Sequence, residues 1–108
     1  MVTITPTQIN IVATDDQIDL VFKALAHPER RRILASLKEK PEQSLFEICA
    51  SALAEGGQPL SRQTVSQHLD ALERAGLLEV SWKGRTKAHS LDLAPLRDAV
   101  RIALDSYL

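Results

Sequence analysis

The sequence predicts a mainly α-helical fold that carries one small β-hairpin near its C-terminal end. Apolar residues recur at helical spacing along most of the chain from residue 15 onward. Between residues 78 and 91 the apolar period changes to two around a glycine, which is the pattern of a hairpin. We therefore expect about five helices and a two-stranded hairpin.

Length and composition indicate one globular domain. The chain has 108 residues, of which 44% are hydrophobic and 25% charged, as in ordinary globular proteins. We expect residues 1–14 to form a flexible arm or an edge strand and residues 15–108 to form the folded domain. The single cysteine, Cys49, excludes an intrachain disulfide and fits a reducing compartment. Without a signal peptide or about 18 consecutive apolar residues, the chain is predicted to be cytoplasmic, with no membrane contact.

Charge is distributed unevenly along the chain, although the net charge is only −1. Residues 27–38 carry a net charge of +3, from four cations and Glu29, and residues 82–91 also carry +3. Residues 39–60 carry −3, from four acids and Lys40. Because phosphate attraction depends on local potential, this arrangement is compatible with nucleic-acid binding.

Two helices are predicted on either side of Pro28. The first starts at Asp15 or Asp16, since acids stabilise a helix N-terminus, and the second runs from Pro28 to about Leu37 or Lys38. Three successive arginines follow Pro28, and at most two of them can meet one phosphate backbone. The expected buried positions are Ile18, Val21, Phe22 and Leu25 in the first helix and Ile33, Leu34 and Leu37 in the second.

The third helix is predicted from a capping box, Ser44 with Glu47, followed by apolar residues. A break at residues 56–59, Gly-Gly-Gln-Pro, separates it from the next helix. Cys49 is either a redox sensor or a packed apolar residue, and its neighbours favour packing. The apolar residues of this supporting helix are Leu45, Phe46, Ile48, Ala52 and Leu53.

The fourth helix has the features of a DNA-recognition helix. Ser61 can cap it, Gly76 suits the left-handed residue that ends it, and an apolar stripe of Val65, Leu69 and Leu72 would pack inward. The outer face carries amide and hydroxyl groups, which suit base reading and phosphate binding, and it lacks the ion pairs of a merely solvated helix. With the supporting helix it makes a helix-turn-helix. The candidate DNA contacts on it are Ser61, Arg62, Gln63, Thr64, Ser66, Gln67 and His68.

A β-hairpin, or wing, is predicted directly after Gly76. Leu78, Val80 and Trp82 alternate with polar residues, Lys83-Gly84 forms a tight turn, and residues 85–91 return as the second strand. Basic residues near the tip are candidates for phosphate or minor-groove contacts, or they simply keep an edge hairpin soluble. These candidate DNA contacts are Lys83, Arg85 and Lys87.

The last helix, from about Ala94 to Leu108, has a continuous apolar stripe. It can pack on its own domain, but little else in a chain of this size would cover it, so we expect a homodimer interface, with the first helix as its neighbour. The candidate dimerisation residues are Leu96, Val100, Ala103, Leu104 and Tyr107.

From residue 15 onward the chain resembles the ArsR family of bacterial winged-helix repressors. The motifs that carry the resemblance stand in the family's order: Phe22-Lys-Ala-Leu-Ala-His-Pro-Glu-Arg-Arg-Arg-Ile-Leu34, Thr64-Val-Ser-Gln-His-Leu69, Ala75-Gly-Leu-Leu78 and Gly84-Arg85. The resemblance implies a dimer that occupies an operator and blocks transcription until an unidentified signal releases it. An unknown small-molecule inducer is one candidate for that signal. It also places residues 63–68 in the family's DNA-reading helix and residues 83–87 in its wing.

The sequence departs from the metal-sensing members of that family. Their supporting helix has paired cysteines, whereas this one has only Cys49, and residues 93–108 contain no histidine. His27, His68 and His89 each have a simpler structural role, so we predict no metal site and no cofactor. The gap before the recognition helix is also longer than the family's usual short turn.

An enzyme and a protein-interaction module are the two alternatives to a DNA-binding function. Ser66, His68 and Asp70 suggest a catalytic triad, but two helical steps place His68 about 160° from Ser66, so it cannot take the serine proton. We therefore predict that the chain is not an enzyme. The alternative to an operator-binding regulator is a winged-helix module that contacts another protein. Repression, as opposed to activation, is expected from the family resemblance alone.

Overall fold

The computed structural model describes residues 14–54 and 60–108. Within these residues the chain forms α1 (Asp15–Leu25), α2 (Pro28–Glu39), α3 (Leu45–Ala54), α4 (Arg62–Arg74), β1 (Leu78–Lys83), β2 (Thr86–Leu91) and α5 (Ala94–Tyr107). The predicted fold class is confirmed: five helices with one antiparallel hairpin. The predicted arm before Thr14 and the break at residues 56–59 lie outside the described residues, and the domain division stays a prediction.

Local capping positions the first two helices. Thr14 and Gln17 form a capping box, in which the Thr14 Oγ1 accepts from the Gln17 N–H and the Gln17 side chain accepts from the Thr14 N–H. The sequence analysis explained the start of α1 by the acidic residues Asp15 and Asp16 and did not predict this capping box. α2 begins at Pro28 after the extended residue His27, as predicted.

The predicted capping box of α3 is confirmed. The Ser44 N–H donates to Glu47 Oε1 at 3.1 Å, and the Glu47 N–H donates to Ser44 Oγ at 3.2 Å. The Ser44 N–H and then the Lys40 ammonium, 3.0 Å away, lower the pKa of the Glu47 carboxyl. Of the apolar residues on this helix Ile48 is buried, but Phe46 is 73% exposed and Leu53 is 60% exposed, so the apolar run does not all pack inward.

The core lies where α4 crosses α1, α2 and α3. Val65, Leu69 and Leu72 are buried along one stripe of α4, as predicted, and Leu72 and Leu77 are fully inaccessible to solvent. Gly76 has φ 78°, so the left-handed residue that ends the helix is also confirmed. Fixing both ends and the inner face of α4 leaves its opposite face to solvent.

The wing pairs in register from Leu78 opposite Leu91 to Lys83 opposite Thr86. Its loop is therefore Gly84-Arg85, with φ 63° at Gly84, and the predicted turn at Lys83-Gly84 was wrong by one residue. Trp82, which pairs with Lys87 next to the loop of the hairpin, is 65% exposed.

α5 packs against α1 through Ala99, which is fully buried. Part of the apolar surface of both helices remains uncovered in the single chain. Phe22, expected in the core, is 43% exposed, while Val100 and Leu104 are 42% and 49% exposed. The prediction that Phe22 is buried was wrong for the single chain, because Val21 and Ala24 occupy the inward positions of α1.

Candidate nucleic-acid interface

The N-terminal turns of α4 present a polar face to solvent. The Ser61 Oγ accepts from the Thr64 N–H at 3.1 Å and lies 2.9 Å from the Thr64 Oγ1, so both hydroxyls serve the helix cap. Arg62, Gln63 and Gln67 are exposed on the turns that follow. These three side chains therefore keep their donors and acceptors available for a partner.

A cleft separates α4 from the wing. Arg62, Ser66 and Asp70 form its α4 wall, one helical turn apart, and Arg85 and Lys87 stand on its wing side. Ser66 is half-buried in this cleft and does not lie on the outermost face that helical spacing had given it. The cleft brings together basic groups from α4 and from the wing, which are distant in sequence. A phosphate backbone is an extended anion that can bind along such a cleft.

Two of the three basic side chains of the wing are paired within the chain. The Lys83 Nζ lies 2.6 Å from Glu42 Oε2, and the Lys87 Nζ lies 3.1 Å from Glu73 Oε1. Arg85 has no carboxylate within ion-pair distance among residues 14–54 and 60–108. In this conformation Arg85 is the wing cation most available to a phosphate.

Sequence reasoning missed the loop that holds the wing. Gln43 and His89 exchange backbone hydrogen bonds of 3.0 and 2.8 Å, which adds one bridge to the free edge of β2. Glu42, beside it, has φ 61°, an unusual value for a residue with a Cβ, and its N–H donates to the Ser90 Oγ at 3.1 Å. Only a glutamine between Glu42 and Ser44 marks this loop in the sequence, and that pattern has no specific meaning.

His68 points toward α2 although it lies on the recognition helix. Its Nδ1 accepts from the Arg30 Nε at 3.0 Å, and its ring centre lies 5.9 Å from that of His27. Burial first, and then the charge of Arg30 and the neighbouring His27, lower the pKa of His68. Of the three successive arginines, Arg30 thus faces α4, whereas the Arg31 Nη1 donates to the Leu25 carbonyl at 2.7 Å.

In the described parts of the chain no three His, Cys, Asp or Glu side chains gather as metal ligands. Cys49 is a free, half-buried cysteine packed against the core cluster. None of the helices in residues 14–54 and 60–108 is long and apolar enough to cross a membrane.

Comparison with known proteins shows the same architecture. A family described as a helix-turn-helix domain matches residues 25–81. The HTH-type transcriptional regulator YuzN of Bacillus subtilis is 32% identical over 77% of this chain and 90% of its own length. The transcriptional repressor SdpR of Bacillus subtilis is 32% identical over 79% of this chain and 87% of its own length.

Similarity to solved structures identifies the family. An ArsR-like transcriptional regulator from Rhodococcus sp. RHA1 is 30% identical, with a TM-score of 0.67 over 84% of this chain and 79% of that chain. The chain belongs to the ArsR family. The homodimeric winged helix-turn-helix DNA-binding domain of Mb0332 from Mycobacterium bovis is similar to this ArsR-family chain at 26% identity and a TM-score of 0.62, and covers 100% of this chain and 94% of that chain.

The family membership predicted from the motifs is thereby confirmed, and so is the winged helix-turn-helix fold. These relatives are transcriptional regulators, which agrees with the class of function expected for this ArsR-family chain.

Proposed function

We propose that this ArsR-family chain is a dimeric, cytoplasmic repressor that binds a near-palindromic operator and is released by a small-molecule inducer. One observation carries the proposal: the exposed polar face at the start of α4 lies across a cleft from the basic tip of the wing. With these two surfaces side by side, the face of α4 can contact base edges while the wing binds the phosphate backbone. Repression is supported by the similarity to SdpR, and release by an inducer by the family resemblance.

The exposed groups divide into two kinds of contact. Gln63 and Gln67 carry amides suited to adenine, and Arg62 suits guanine or a phosphate at the mouth of the cleft. Arg85 is assigned to the phosphate backbone, with Lys83 and Lys87 as further phosphate contacts once they leave their carboxylate partners. Ser61 and Thr64 contribute through the helix cap, and Ser66 through the wall of the cleft.

Dimerisation is assigned to the uncovered apolar surface of α1 and α5. Val100 and Leu104 lie one turn apart on α5 and, with Leu96, line a shallow apolar groove. Leu20 and Phe22 are each 43% exposed on the packed neighbour α1. A second copy would cover this surface together with Ala103 and Tyr107, as the homodimeric relative suggests. Two recognition helices would then enter major grooves about 34 Å apart.

The first experiment is a fluorescence-anisotropy titration of the protein against its own upstream promoter fragment and a shuffled fragment, at two salt concentrations. We expect selective binding whose logarithmic affinity falls linearly with the logarithm of salt concentration, because phosphate contacts release counterions. Gln67→Ala should reduce binding only for certain sequences, while Arg85→Ala should weaken binding to all sequences and lower the salt slope by about 1. Lys38→Ala, which removes a cation from the end of α2, is the matched control.

Each alternative outcome has a distinct meaning. Equal affinity for both fragments would leave only a nonspecific basic surface and refute operator reading. Absence of binding even at low salt would favour the other candidate, a winged-helix module that contacts a protein.

A further inference from the structure

A hydrogen bond between Arg30 and His68 links α2 to the recognition helix α4. The Arg30 Nε donates to the His68 Nδ1 at 3.0 Å, across 38 residues of sequence. The same guanidinium also donates from Nη1 to the Lys23 carbonyl at the end of α1, at 3.4 Å. Arg30 therefore joins the ends of α1 and α2 to the middle of the recognition helix.

This bond requires one protonation state of the imidazole. An arginine is always protonated, so the His68 Nδ1 must accept and must carry no hydrogen. The neutral ring then holds its hydrogen on Nε2, and a proton added to Nδ1 would set two N–H groups against each other. The other ionisable groups near the ring are His27, whose positive form disfavours a charged His68, and Glu29, which favours it.

We propose that His68 is a positioning residue, which holds the recognition helix on α2 through Arg30 and which weakens operator binding when it is protonated. The inference rests on the proposed function, because it concerns how α4 is aligned for DNA. His68 follows Gln67 directly, so a shift of α4 at His68 moves the candidate base-reading side chain with it. Direct base contact by His68 is the competing role, and the two roles predict different results.

A set of variants separates them. His68→Asn keeps an acceptor near the position of Nδ1 but does not titrate, whereas His68→Ala removes the acceptor and Arg30→Met removes the donor. We expect the wild-type affinity for the operator to fall about twofold to tenfold between pH 7.5 and pH 5.5, the range expected for the loss of one ordinary hydrogen bond. His68→Asn should bind like wild type at pH 7.5 and lose little affinity at pH 5.5.

The double variant gives the decisive comparison. If His68 acts only through its bond to Arg30, the double variant Arg30→Met with His68→Ala should bind about as weakly as Arg30→Met alone, because Arg30→Met already removes that bond together with the bond to the Lys23 carbonyl. Losses that multiply, or a loss after His68→Ala that is confined to particular operator bases, would overturn the proposal. His27→Gln is the control histidine variant and should retain the pH dependence, and circular dichroism and light scattering at each pH should show a folded dimer throughout.

A second readout does not depend on DNA. In the free protein, the ¹⁵N chemical shifts of the His68 ring should show the Nε2–H tautomer at pH 7.5, and Arg30→Met should raise the midpoint of its titration. An Nδ1–H tautomer would overturn the proposal even if operator binding were intact. If the tautomer is as expected but no operator is bound, the proposed function fails and the Arg30–His68 bond stands, so the two failures are distinguishable.

Discussion

Replacing Gln43 by methionine tests whether one buried amide fixes the loop that holds the wing. Gln43 is 1% exposed, and its Nε2 donates to the Lys40 carbonyl at 2.8 Å and to the carbonyl and hydroxyl of Ser36 at 3.1 Å each. The Ser51 hydroxyl donates to its Oε1 at 3.4 Å. Methionine has a similar length but neither donates nor accepts strongly, so every one of these bonds is lost.

The magnitude follows from which groups lose their last partner. The Ser36 carbonyl keeps the Lys40 N–H at 2.9 Å, and the two serine hydroxyls can rotate to other acceptors. The Lys40 carbonyl loses its Gln43 donor in a partly buried position, and one such group costs about 2 kcal/mol. With a urea m value of about 1–3 kcal/mol per molar for a small protein, a loss of about 2 kcal/mol should lower the unfolding midpoint by about 0.7–2 M.

The assay is urea unfolding followed by circular dichroism, at one fixed protein concentration because dimerisation contributes to stability. Gln63→Met is the matched control, since the same substitution at an exposed position should change stability by less than about 0.5 kcal/mol. Faster hydrogen exchange at the His89 amide, which donates to the Gln43 carbonyl, should accompany the loss. Equal midpoints for the two variants would refute the view that the Gln43 amide stabilises this loop.

Three further predictions concern charge, assembly and pH. Glu42→Gln should release Lys83 from its exposed ion pair, raising operator affinity by up to about fivefold and steepening the salt slope, in anisotropy titrations; an unchanged slope would show that Lys83 never reaches DNA. Val100→Asp or Leu104→Asp should weaken dimerisation and operator binding together, by light scattering and anisotropy, and a mass that stays dimeric would contradict the assignment of the α5 surface. Because the pKa of His68 is lowered in the folded chain, the unfolded chain takes up the proton first, so stability should fall as pH drops below about 6.5; thermal unfolding should show a smaller fall for His68→Asn.

Much of the fold could be predicted from the sequence because its determinants are local. Capping residues such as Ser44 and Ser61, the left-handed Gly76 and the apolar stripe of α4 depend on neighbours within one or two helical turns, and the structure places them as predicted. The predicted turn of the wing was displaced by one residue. A turn at Lys83-Gly84 and a turn at Gly84-Arg85 both fit the alternation of apolar and polar residues, and only the pairing register of the strands decides between them.

The candidate site was less predictable, because its geometry depends on contacts between distant segments. Helical spacing put Ser66 on the outer face, but the wing folds back beside it and makes it one wall of a cleft. Glu42 and Glu73 neutralise two wing cations from loops and helices that no local pattern connects to the hairpin. Likewise, the sequence contains Arg30 and His68 in separate motifs, and only the crossing of α2 and α4 brings them together.

Phe22 was wrongly predicted to be buried, and it lies on the surface that the proposed dimer would cover together with the predicted dimerisation residues Val100 and Leu104. Helical periodicity identifies the apolar face of a helix, but it does not distinguish packing within the chain from packing against a second copy. Phe22, Val100 and Leu104 follow their stripes yet remain 42–49% exposed, and they lie on two helices that pack against each other. Burial against a second copy explains this exposed apolar surface better than an error in the predicted apolar face of each helix does, since burying the surface in a dimer would stabilise both copies. Phe46 and Trp82 differ, because they lie on α3 and the wing, so dimerisation through α1 and α5 should leave them exposed.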